Sequence, residues 1–118
     1  MSDDHVAHIR ELVETVWNTG ELLRSDQYFT SHFLFNGLAA NANDALQYQA
    51  RLRQAFDSLH FHIEDIFPSA DGEKVTLRWL ATATHKADGR PAEWYGTHVF
   101  YFSNGQISQV WSQNHPPD

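Results

Sequence analysis

Near the end of this chain two histidines fall in line with large aromatic side chains, at the spacing of strands. Trp94, Gly96, His98, Phe100 and Phe102 alternate with Tyr95, Thr97, Val99 and Tyr101. After Ser103-Asn104-Gly105-Gln106 the alternation resumes through Ile107, Gln109, Trp111, Gln113 and His115. Side chains two apart on a strand share a face. His98 is therefore expected beside Trp94, Phe100 and Phe102, and His115 beside Ile107 and Trp111. Apolar pockets with a few polar groups are a common design for small-molecule sites. An imidazole with its ordinary pKa of ~6.5 both takes and gives protons near neutrality. The chemistry open to such a pair is proton abstraction next to a carbonyl: one ring removes the proton, and the other, with Asn36 or Tyr48, donates to the enolate oxygen. Trp79 and Trp111 would then be pocket walls. Plainer readings compete with each of these. His98 could be a hydrogen-bonded core residue, the tryptophans ordinary core, and His115 part of a loose end, Asn114-His115-Pro116-Pro117-Asp118.

The elements that must position these residues can be read from periodicity. Val6, Ile9, Leu12, Val13, Val16 and Trp17 recur at steps of three and four, which predicts an amphipathic helix capped by Ser2 or Asp3 and stopped at Asn18-Thr19-Gly20. Residues 21–30 suggest a short second helix with Ser25 as cap and Tyr28 and Phe29 turned inward. A short strand, Phe33-Leu34-Phe35, closes at Asn36-Gly37. Asn41-Ala42-Asn43-Asp44 is a strong capping sequence, behind which Ala45, Tyr48, Leu52, Ala55, Phe56 and Leu59 share a face, so a third helix is predicted to about Ser58. The period then changes to two. Strands follow over 61–67, ended by Pro68, and over 74–85, with turns at Asp71-Gly72 and Asp88-Gly89. Asn104-Gly105 joins the last two strands as a type I′ hairpin. Helices first, then four consecutive antiparallel strands, predict an α+β fold with helices on one face of a curved sheet.

Composition narrows the function. The chain has 118 residues, the size of one domain, 1–118, and its 42% hydrophobic and 14% aromatic content can fill a core and line a cavity besides. Its formal charge of −7 comes without a Lys/Arg cluster, which argues against nucleic acid and anionic membranes as partners. The absence of cysteine excludes disulfides, thiolate zinc sites and cysteine nucleophiles. The start, Met1-Ser2-Asp3-Asp4, has neither a basic segment nor an apolar one behind it, and no run approaches the ~20 apolar residues of a membrane span, so a cytoplasmic protein is expected. His60 and His62 could face a metal from one strand, but spacing fixes no third ligand, and no metal site is assigned. Arg78 could pair with Glu93 across strands or anchor an anionic substrate. There is no nucleotide-binding or serine-nucleophile motif, and no cofactor is expected.

Several motifs, in order, resemble one family. They are Trp17-Asn18-Thr19-Gly20; Ala55-Phe56-Asp57-Ser58-Leu59-His60 with Ile63-Glu64-Asp65; Asp71-Gly72-Glu73-Lys74-Val75 with Arg78-Trp79 and Ala83-Thr84-His85; and Phe100-Tyr101-Phe102-Ser103-Asn104-Gly105-Gln106-Ile107 with Trp111. Together they are similar to SnoaL-like polyketide cyclases, of the nuclear transport factor 2-like and ketosteroid isomerase superfamily. The resemblance implies a cone-shaped α+β barrel, three N-terminal helices on a strongly curved, mainly antiparallel sheet, with a pocket at one end and homodimers through the convex face. It also implies a cofactor-independent cyclase or isomerase acting on a small hydrophobic carbonyl compound. The same superfamily includes non-catalytic binding modules, which is the alternative. His115 stands where such cyclases carry an acidic base, four positions after the tryptophan of the last strand. His98 stands where relatives carry an aspartate, and Asn36 where a histidine is common.

Overall fold

The computed structural model describes residues 2–114. Helix α1 (Ser2–Leu12) runs directly into a π-helical turn, Val13–Trp17, closed by the Asn18 N–H donating to Val13 O at 2.9 Å. Ile9, Leu12, Val13, Val16 and Trp17 are buried, as the predicted apolar face requires. The second helix is a short 3₁₀ segment, Leu22–Gln27, and it ends early because the chain is drawn into strand β1 (Phe29–Phe35). Among the described residues the sheet therefore carries two α-helices, α1 and α2 (Ala42–Ala55), where three helices were expected.

Among the described residues six strands replace the expected four or five. Between β1 and α2 lies a short strand β2 (Leu38–Asn41), and after α2 come β3 (Phe56–Pro68), β4 (Lys74–His85), β5 (Pro91–Ser103) and β6 (Gln106–Asn114). Their order is β2-β1-β6-β5-β4-β3. All neighbours are antiparallel except β1 and β6. Among the described residues the edge strands β2 and β3 do not pair, so the sheet curls round its helices without closing. Both Asn-Gly pairs make the positive-φ turns that hairpins of this hand need: Asn36 at 51° with Gly37 at 85°, and Asn104 at 51° with Gly105 at 79°.

Two boundaries differ from periodicity for tertiary reasons. The third predicted helix stops at Ala55, not Ser58, because Phe56 pairs with His85 and Asp57 with Thr84 on β4. Phe56 and Leu59 are buried as predicted, but from a strand bulged at Ser58, whose φ is 54°. On β6 the pairing slips by one between Tyr101 and Phe102, so that Ile107 faces Phe102 but Gln109 faces Tyr101. Past this bulge the inward residues are Val110 and Ser112. Trp111 points outward and is 44% exposed. The row from Ile107 to Trp111 read as one face is therefore split between two.

The core lies between α1 and the inward residues of β4, β5 and β6, including Leu77, Phe100 and Ile107. Arg78 pairs with Asp65 of β3, at 2.6 and 2.7 Å, rather than with Glu93, and both partners are half exposed. Among the described residues no helix is long and apolar enough to cross a membrane.

Candidate active site

The hollow expected from the aromatic strands is present. A cavity of about 340 Å³ lies between α2, β1, β5 and β6. Its wall is largely aromatic and aliphatic, with Trp17, Phe29, Phe33, Phe100 and Val110 at its sides and Leu38 of the edge strand at its rim. Such a volume suits a small molecule, pockets of that kind measuring ~300–1,000 Å³. A second, more open compartment of about 460 Å³ adjoins it, sharing Phe35, Tyr48 and Ser112 and adding Asn36, Gln113 and Asn114.

Alternation on β5 places His98 in the cavity wall, as the sequence predicts. Its ring packs 5.2 Å from that of Trp17 and stacks 5.4 Å from that of Phe100. The Trp79 Nε1–H donates to His98 Nδ1 at 2.9 Å. An indole nitrogen is only a donor, so Nδ1 must be the unprotonated nitrogen of a neutral imidazole, and the ring proton sits on Nε2. Burial enforces the same state by pushing the His98 pKa down to about 3. His98 therefore has no free lone pair for taking a proton. What it offers a guest is the Nε2–H, a neutral hydrogen-bond donor in an apolar setting.

Trp79 holds this tautomer from behind. It is 2% exposed and is not part of the cavity wall. Its indole lies over Gly96, where a Cβ would come within 2.0 Å of Cζ2, so only glycine lets strand and ring approach this closely. Of the two tryptophans expected as walls, Trp79 thus supports the site and Trp111, carried outward by the β6 bulge, stands on the opposite face with its Nε1–H donating to Gln109 Oε1.

Asn36 lines the outer compartment, but both ends of its amide are engaged by β6: Oδ1 accepts the Ser112 N–H at 2.7 Å and Nδ2 donates to Ser112 O at 3.3 Å. It clamps the β1–β2 turn to the sheet. Tyr48, half-buried, lines both compartments. His115 lies outside the described residues; Asn114, which precedes it, lines the outer compartment. His60 and His62 sit on the exposed face with rings 4.5 Å apart, and among the described residues no three metal-ligating side chains gather.

Asp44, Tyr48 and Arg51 follow one another along one stripe of α2 at the cavity mouth; Tyr48 was anticipated from the sequence, and Asp44 and Arg51 were not. The capping box starts the helix there: Asn41 Oδ1 accepts the Asp44 N–H at 3.1 Å and Asp44 Oδ2 accepts the Asn41 N–H at 2.9 Å. Asp44 was legible only as a cap. Gln49, 7% exposed, also lines the cavity and was not singled out from the sequence.

The profile of the SnoaL-like polyketide cyclases matches residues 7–115 of this chain. No curated protein sequence matches it. Among solved structures, a protein provisionally described as a polyketide cyclase, from Acidithiobacillus ferrooxidans, is 25% identical and superposes with a TM-score of 0.78 over 92% of this chain and 85% of its own. A SnoaL-like polyketide cyclase from Agrobacterium tumefaciens is 16% identical, with a TM-score of 0.75 over 96% and 89%. A protein of ketosteroid isomerase-like fold from Catenulispora acidiphila, solved with trimethylamine, is 11% identical, with a TM-score of 0.74 over 90% and 83%. At such identities the last two speak for the fold alone.

Proposed function

The chain belongs to the SnoaL-like polyketide cyclase family, and from that premise we propose that it is a cofactor-independent cyclase or isomerase of a small hydrophobic carbonyl compound, of polyketide, steroid or terpenoid type. The observation that carries the reading is the Trp79–His98 hydrogen bond. It makes His98 a fixed Nε2–H donor in a largely apolar, aromatic cavity, the setting in which a donor aimed at a developing enolate oxygen is most effective. A guest whose carbonyl oxygen accepts that hydrogen bond has its neighbouring C–H acidified. The proton then needs a base, and two residues compete for that role: Asp44, the carboxylate in the cavity wall, and His115, next in sequence after Asn114. Tyr48, which lines both compartments, contacts the guest between them in this reading. The proposal includes a cytoplasmic homodimer whose interface is the outer sheet face, where Leu34, Phe67, Tyr95 and Trp111 are exposed.

Deuterium uptake from D₂O into the α-position of 1-tetralone, followed by NMR, tests the chemistry without knowledge of the substrate. The expected result is exchange faster than the buffer rate, reduced ~10²- to 10³-fold in His98→Phe, the usual loss for one oxyanion donor. It should also fall in either Asp44→Asn or His115→Ala, which identifies the base. A ketone that binds without exchange would leave a binding module, and one that does not bind at all would refute the site.

A further inference from the structure

We infer that Gln49 is a specificity-determining partner of His98, and that the two together select a cyclic ketone that also carries a hydroxyl group; the inference rests on the carbonyl-binding reading above and deepens it. Gln49 lines the same cavity as His98 and is as deeply buried as the apolar wall around it. Its Oε1 is buried and accepts no hydrogen bond among the described residues. Buried polar atoms are nearly always paired, and one left alone destabilises the fold. The orphan is explained if a guest supplies the missing donor. The terminal torsion of glutamine is broad, so the amide can present its oxygen to a ligand at little cost.

The senses of the two groups define the guest. His98 Nε2–H needs an acceptor and Gln49 Oε1 needs a donor. A ketone alone satisfies the first and leaves the second unpaired; an alcohol with no carbonyl oxygen gives the imidazole a weaker acceptor. An ammonium donor would enter an aromatic cavity without a deep counter-charge, since Asp44 sits at the mouth and is exposed. A neutral hydroxyl on the same ring frame as the carbonyl satisfies both. Among the described residues one rival claim on Gln49 exists. Arg53, four residues on and so a neighbour on the helix surface, has a buried Nε without a partner, while its Nη2 donates to Trp17 O. Arg53 is not part of the cavity wall, so a Gln49–Arg53 bond would withdraw the oxygen from any guest.

Calorimetric titration with 1-tetralone and the 5-, 6- and 7-hydroxy-1-tetralones separates these cases. The wild-type protein should bind at least one hydroxytetralone ~10-fold or more tightly than 1-tetralone, the loss expected when a buried acceptor goes unpaired. Gln49→Met, apolar and of similar length, should erase that preference. It should also raise the Tm of the ligand-free protein, because it removes an unpaired buried oxygen. A wild-type protein indifferent to the hydroxyl overturns this inference but not the carbonyl-binding reading. No binding of any tetralone overturns both. A lower Tm in Gln49→Met with the preference intact assigns the oxygen to Arg53 and refutes the role given it here.

Discussion

The state of His98 can be tested through its effect on stability. Burial holds the folded-state pKa at about 3, whereas in the unfolded chain the group titrates at its ordinary ~6.5. Below pH ~6.5 the unfolded chain takes up a proton that the folded one refuses, so protonation favours unfolding. Stability from this group is complete above pH ~6.5 and falls as pH drops towards 3. The slope is ~1.4 kcal/mol per pH unit, and over the whole window the loss is ~5 kcal/mol. A domain of this size has ~6–18 kcal/mol in total, so one ring accounts for a large share of acid sensitivity. Asp71 and Asp88, whose carboxyl pKa values are held low by hydrogen bonds, also contribute, so the measurement must be a difference. Urea unfolding of the wild type and of His98→Gln would be compared between pH 4.5 and 8. Glutamine does not titrate, and its oxygen can still accept from Trp79. The wild type should lose stability relative to the variant by ~1.4 kcal/mol per unit below pH ~6.5, with a constant difference above it. In ¹⁵N spectra His98 should remain the neutral Nε2–H tautomer down to pH 4.5. Parallel stability curves, or an NMR midpoint near 6.5, would refute both the buried neutral donor and the role built on it.

Two other outcomes follow from single contacts. Gly96→Ala drives a methyl to 2.0 Å from the Trp79 ring; urea midpoints should show a loss at the upper end of the ~1–3 kcal/mol of overpacking, and ketone affinity should fall with it as His98 loses its support. Trp111→Ser should convert the proposed homodimer to a monomer in sedimentation velocity, without altering the affinity for 1-tetralone, because Trp111 lies on the face away from the cavity.

What could be read from the sequence was whatever local rules decide. The alternation of β5 placed His98 on its aromatic face, and the Asn104-Gly105 turn took the predicted conformation. The capping sequence before α2 was likewise correctly placed. What escaped depended on pairing between distant segments. The β6 bulge, which carries Trp111 outward, exists only against Tyr101 and Phe102, so period two had no sign of it. Strand β2 exists by pairing with β1, and β3 begins five residues early because β4 is there to receive it. Gln49 was missed for a different reason. A polar residue beside a predicted apolar face reads as surface until a cavity is known to lie next to it.

The β1–β2 hairpin gives the hollow an asymmetric wall. The side built from β5 and β6 belongs to a continuous ladder, whereas the opposite rim hangs from three registered pairs with β6 and the Asn36 clamp. Anyone wishing to admit a bulkier guest would rebuild Leu38 and its turn, since that seam can be recut while the hydrogen-bonded Trp79 and His98 stay where they are.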